Sequence, residues 1–357
     1  MKSKAFSYYL FLWLSFFFIF QVQAQGEDQK QTLKEISSLF NGKSILTLEL
    51  TYAKKELLEL TNDSTYIKSK IAYLENNDDK KYMDVELRAR GHYRRSHCYY
   101  VPLWLKISED VSKGSIFEAD KKLKIVLPCL KSKKANDHII KEYLAYKIYE
   151  ILSPYYFETK LVPIDLQEAV NNKKIDHELV GILIQDDDQL AAAYHGEVIK
   201  RNIHPKAQDP VCSVRNALFQ FMIGNTDYSI TYQHNEKIFY IDKKIVPVPY
   251  DFDMSGLVNP SYAVVSVVNN NELPITEVTD RLYRGFDRDE KILEQVRQEF
   301  LMHEPDVFKA MDQYQTSFKD PKEFVEARKF ISEFYTIIKD DRKFENKILK
   351  RVRTQLR

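Results

Sequence analysis

Residues 221–256, FMIGNTDYSITYQHNEKIFYIDKKIVPVPYDFDMSG, carry the densest pattern in the chain. An apolar helical stretch runs into Gly224-Asn225-Thr226-Asp227, and a polar loop then presents His234 and Asn235. Two short β-like runs, Ile238–Asp242 and Ile245–Pro249, lead on to Tyr250-Asp251-Phe252-Asp253. Acidic and amide groups therefore fall just past a predicted helix end, just before one strand and just after the next. Hard cations are held by one or two carboxylates, an amide oxygen, water and substrate phosphate, so the layout suits a magnesium–phosphate site. Either motif alone reads as an ordinary turn, because Asp and Asn side chains cap nearby backbone groups. Both in one hairpin-like unit, each bounded by apolar runs, point to chemistry.

Upstream, Val211, Val214, Leu218 and Phe221 recur at helical spacing and predict the helix Val211–Ile223 that delivers the first turn. Lys160–Ile164 and Leu179–Gln185 are strand-like, the second running into Asp186-Asp187-Asp188. Before them, Asn136 or Asp137 caps a helix with Ile140, Leu144, Ile148 and Ile151 on its buried stripe, ending at Ser153-Pro154. Ser44–Tyr52 alternates apolar and polar residues, as a half-buried strand does. Tyr66–Leu74 and Tyr82–Arg90 alternate likewise around a turn at 76–79, and Val101–Ile107 and Leu123–Leu127 complete a predicted antiparallel sheet. Downstream, Ile292, Val296 and Phe300 mark one helix. Another starts at an Asp320-Pro321 cap and runs through Phe324, Phe334 and Phe344 to Val352.

The 357 residues, 44% hydrophobic and 13% aromatic, support a packed core rather than disorder. Lys and Arg (53) nearly cancel Asp and Glu (52), so no basic field argues for nucleic acid. Residues 1–24 have the form of a secretory signal: Lys2 and Lys4, the apolar stretch Tyr8–Phe20, then Val22-Gln23-Ala24 at the cut. The alternative is an uncleaved amino-terminal anchor. No other run approaches the roughly 18 apolar residues of a span, so the mature chain is expected to be exported without a membrane span, to the periplasm, cell surface or extracellular space. Cys98 and Cys129 both follow strand-like segments and are paired on that basis; buried free thiols are the alternative, and Cys212 is the third cysteine.

The segments RGHYRR (90–95), KLKIVLPC (122–129), KEYLAYKIYE (141–150), GILIQDDDQLA (181–191), GNTDYSITYQHN (224–235) and YDFDMSGL (250–257) resemble the spore-coat CotH kinase family, with a weaker similarity to HipA-type kinases. The resemblance covers most of residues 80–260 in order. It implies an α+β, atypical kinase-like two-lobed fold: a 25–43 leader, a β-rich amino lobe with one connecting helix over 44–185, and a mainly helical carboxyl lobe over 186–357. It also implies ATP and magnesium (or manganese) as cofactors and transfer of phosphate to a hydroxyl, with a protein as the expected substrate. Asp227 would be the base, Asp251 would take the metal and Asn235 would complete its shell. Asp253 is a second metal-side carboxylate or a turn cap. Lys124, with Lys121 and Lys122 as rivals, would hold phosphate and pair with Glu142 on the following helix.

The chain also departs from protein-kinase motifs. There is no Gly-x-Gly-x-x-Gly and no His-Arg-Asp, and only nine glycines. Arg88, Arg90, Arg94 and Arg95 are the candidates to replace a backbone phosphate cradle, since guanidinium forks suit phosphate oxygens. The interval from Asp227 to Asn235 is longer than the roughly five-residue spacing of kinase catalytic loops, which leaves His234 as an alternative polar group. A kinase-like scaffold that binds without turnover is the second class. Zinc chemistry finds His92, His97 and Cys98 but no H-E-x-x-H, and a serine hydrolase finds no G-x-S-x-G.

Overall fold

Period-two burial builds the first half of the molecule. The computed structural model describes residues 36–354 apart from 42–44, 77–78, 171–172 and 269–270. The expected signal over 1–24, and the leader up to residue 35, lie outside the described residues. Strand β1 (Leu46–Tyr52) buries Leu46, Leu48, Leu50 and Tyr52 and leaves Thr51 exposed. The chain then forms α1 (Lys54–Leu60), β2 (Ile67–Glu75), β3 (Lys81–Ala89), the short α2 (His92–His97), β4 (Leu103–Lys106), α3 (Glu109–Ser112) and β5 (Lys122–Val126). Helix α4 (Ala135–Leu152) precedes the long hairpin β6 (Thr159–Val170) and β7 (Lys173–Gln185).

These seven strands close into a barrel in the order β1-β2-β3-β4-β5-β7-β6. Every seam is antiparallel except the last, where β6 lies parallel to β1 with Leu48 opposite Ile164 and Leu50 opposite Leu166. Leu87, Leu105, Leu123, Ile125 and Leu183 belong to the same apolar cluster, which also takes in Leu39 from the end of the expected leader. Here the structure corrects the expected kinase-like two-lobed fold with a sheet-built amino lobe. The β6–β7 ladder is far longer than the alternating runs predict, and it offers β6 an edge that receives β1. The result is a closed mixed barrel followed by helices.

The second half is α5 (Asp187–Ala193), β8 (Glu197–Ile199), α6 (Pro210–Met222), β9 (Glu236–Ile241), β10 (Lys244–Pro249), the small pair β11 (Val267–Val268) and β12 (Asn271–Glu272), then α7 (Glu290–Met302), α8 (Glu304–Asp312), α9 (Pro321–Ile338) and α10 (Asp341–Lys347). Strands β8, β9 and β10 form a three-stranded sheet. Leu144 and Ile148 of α4, Phe219 of α6, Val296 and Phe300 of α7 and Phe334 of α9 share one apolar cluster.

Local capping differs from expectation at α4. Neither Asn136 nor Asp137 caps it. Asn136 Oδ1 accepts from the Val180 amide, and the Asp137 carboxylate accepts from the amides of Lys319 and Asp320. Both side chains satisfy distant backbone donors, which local propensity does not foresee. The helix expected from Asp320 to Val352 is broken, because Asp340 accepts from the Lys343 amide and starts α10. Cys98 and Cys129 are disulfide-bonded, while Cys212 is free and buried, its thiol pushed up to about 12 by burial. Among the described residues no helix is long and apolar enough to cross a membrane.

Candidate functional site

Strand β5 carries Lys124 to a nearly sealed position, 2% exposed, with its Nζ 4.4 Å from the centre of the Phe157 ring and 5.4–5.5 Å from Trp104 and Tyr250. Its ion-pair partner is Asp187, at the start of α5, and not Glu142. Lys237 of β9 reaches the other oxygen of the same carboxylate at 3.1 Å. Burial works against charge on Asp187, yet the two lysines outweigh it and hold the carboxyl at about 2. Burial also lowers the Lys124 ammonium, with Arg90 adding to that effect and Asp187 opposing it.

Glu142 of α4 is buried behind this pair, and its Oε1 has no hydrogen-bond partner. Burial holds its carboxyl well above the usual range, with Arg94 as the main opposing charge. Arg94, on α2, donates from Nη2 to the Leu127 carbonyl at 2.8 Å. Its Nε lies 3.5 Å from Asp253 and its Nη1 4.0 Å from Asp251. Arg95 donates to the carbonyl of Leu58 at 2.8 Å. Two of the four arginines are thus spent on protein groups. Arg88 and Arg90 flank the Trp104 ring at 5.8 and 5.7 Å and make no ion pair among the described residues.

The two acidic turns are stitched together by backbone. The Gly256 amide donates to the Gly224 carbonyl and the Leu257 amide to the Ile223 carbonyl, each at 3.0 Å. Gly224 has φ +63°, and a Cβ there would come within 2.9 Å of Phe330, so the close approach requires glycine. Asp251 also has positive φ, 62°, an uncommon state for a residue with a side chain, and its amide donates to the Tyr146 hydroxyl at 2.9 Å. Its Oδ1 is buried without a hydrogen-bond donor. Asp253 accepts from Tyr262 at 3.3 Å; burial pushes its carboxyl up to about 7, with Arg94 opposing and Asp251 and Asp227 reinforcing.

Asp227 sits at the end of the first turn, its amide donating to Asn225 Oδ1 at 2.9 Å. Asn235 Nδ2 donates to both the Asp227 carbonyl (2.7 Å) and its Oδ2 (3.0 Å), while His234 Nε2 lies 3.2 Å from Oδ1. That hydrogen bond raises the His234 imidazole. Arg284, nearly buried, donates to the Tyr228 carbonyl at 2.9 Å and braces the loop from behind.

Lys124, Arg90, Arg94, Asp227, Asn235, Asp251 and Asp253 all line one cleft of about 880 Å³; Glu142 lies behind it. A smaller hollow of about 380 Å³ adjoins, sharing Trp104, Asp187 and Lys237. Among the described residues no three His, Cys, Asp or Glu side chains form a ready metal cage. A magnesium or manganese ion arriving with a polyphosphate needs fewer protein ligands. The donor set fits such an ion: Asp251 Oδ1 lacks a donor, and the buried Glu142 and Asp253 share Arg94 with the partly exposed Asp251.

Sequence reasoning missed the roles of Asp187, Lys237, Trp104 and Tyr146. The Asp186–Asp188 run flagged an acidic turn, but nothing local linked it to Lys124. The chain matches no known family model and no curated protein.

Proposed function

We propose that the chain is a CotH-kinase-like phosphotransferase that moves phosphate from magnesium–ATP to a hydroxyl, on a protein, outside the cytoplasm. The observation that supports it most is the convergence of Asp227, Asn235, Asp251, Asp253, Lys124 and Arg90 on one cleft from separate strands and turns. The likeness is carried over as chemistry, not as fold. Asp227 accepts the proton of the attacking hydroxyl, a role worth about 10²–10⁴-fold. His234 and Asn235 hold its carboxylate in one orientation. Lys124 and Arg90 bind phosphate oxygens, and the smaller hollow beside Trp104 takes the nucleoside. Asp251, with Asp253 and the Asn235 amide oxygen, holds the metal. When bound, the metal neutralises charge on the phosphates. The disulfide agrees with an oxidising compartment and so with export.

A second reading, a binding scaffold without turnover, is favoured by one observation: Lys124 is already tied to Asp187, and Arg94 to two aspartates. Thermal unfolding of residues 25–357 with ATP and magnesium tests the nucleotide binding that the first reading requires. A ligand at 100 times its Kd adds about 2.7 kcal/mol. The phosphotransferase reading expects a shift of that order, lost in Asp251→Ala. No shift at millimolar ATP sinks it in favour of the scaffold.

A further inference from the structure

One hydroxyl already meets Asp227, and it belongs to the chain itself. Ser266 Oγ donates to Asp227 Oδ1 at 3.3 Å. Ser266 lies just before β11, and with Val264 and Val265 it lines the same cleft as Lys124, Arg90 and Asp251. Among the described residues, the other hydrogen bonds to this carboxylate are from His234 on the same oxygen and Asn235 on the other. Ser266 is only half-buried, and Val264 beside it is 61% exposed. The hydroxyl therefore stands at the mouth of the cleft, where an acceptor must enter.

We propose that Ser266 is an acceptor of this site, phosphorylated by its own chain; the inference rests on the phosphotransferase reading above. In the step, Ser266 Oγ bonds to the γ-phosphorus of ATP while the bond from that phosphorus to the β–γ bridging oxygen breaks. The serine proton passes to Asp227, and ADP leaves with the electron pair of the broken bond. The product carries close to two negative charges next to Asp227, and like-charge repulsion then pushes Ser266 off the carboxylate. Arg88 and Arg90 line the same cleft without ion pairs among the described residues, and their guanidiniums give the new phosphate a place to go. Self-phosphorylation would in this way clear the base for an outside hydroxyl.

The test incubates the full chain with ATP and magnesium at several protein concentrations and follows intact mass and phosphopeptides. Ser266→Ala and Asp227→Asn run in parallel, with nucleotide-dependent thermal stabilisation measured on each protein. The expected result is one phosphate per chain, mapped to Ser266, at a rate independent of protein concentration. Incorporation falls at least ~100-fold in Asp227→Asn and vanishes in Ser266→Ala, which keeps its nucleotide shift. A nucleotide shift with no phosphate, with phosphate elsewhere, or with a rate that climbs with concentration overturns the self-acceptor and leaves nucleotide binding standing. No shift in the unmodified chain overturns the underlying reading and this inference with it.

Discussion

Two charge clusters meet at the cleft, and they are unbalanced in opposite senses. Around Asp187, two lysines serve one carboxylate, and its carboxyl is held at about 2 in spite of burial. Around Arg94, one guanidinium serves Glu142, Asp251 and Asp253, and burial carries Asp253 up to about 7. Burial is common to both, so it does not decide the charge state. The number and closeness of counter-ions does. One cleft thus joins a cation-rich cluster to an acid-rich one.

The largest test of this contrast is Arg94→Met. Removing the shared cation from a buried pair typically costs about 3–5 kcal/mol, because the carboxylates left behind are uncompensated. An unfolding free energy, from urea titration, lowered by less than about 1 kcal/mol would mean that Arg94 is not their counter-charge. Next is Asp187→Asn. Asp187 is depressed from 3.8 to about 2, so its contribution is present above pH about 4 and is lost as pH falls toward 2. The shift corresponds to about 2 kcal/mol at pH 7, and the variant should lose that amount and show a flatter acid limb.

The opposite slope, with an effect that is smallest near pH 5 where the side chain is protonated, belongs to Asp253→Asn. Asp253 is raised from 3.8 to about 7. Its protonated form contributes stability that is complete below pH about 4 and lost as pH rises to about 7. The native chain should therefore lose stability over that window at up to about 1.4 kcal/mol per pH unit. The amide variant should be flat there and differ little from native at pH 5. Parallel slopes in the Asp187 and Asp253 variants would abolish the distinction between the two clusters.

What was legible in the sequence was local. The alternation of 46–52 and 82–90 records which face of a strand is buried, and β1 and β3 follow it. The acidic turns were legible because Gly224, Asn225 and the Asp-Phe-Asp run carry their own turn chemistry. Barrel closure left no such trace. Val162, Ile164 and Leu166 announce a buried face but not the strand alongside. Lys124 between Leu123 and Ile125 announces a sheltered lysine, yet Glu142 inside α4 and Asp187 at the start of α5 are both acids further along the chain. Only the fold decides which one arrives. Phenylalanine periodicity hid the break between α9 and α10, since both helices turn the same residue type inward.

The parallel seam also constrains how the chain folds. Residue 48 meets residue 164, so the first strand finds its second neighbour only after the β6–β7 hairpin exists. The antiparallel seams β1–β2 and β2–β3 join neighbours in sequence and form early at small loop-closure cost. The last seam closes over more than a hundred residues and belongs to the slow, non-local class of contacts. Until β6 is in place, β1 remains an open edge, its row of free amides and carbonyls available to the wrong strand.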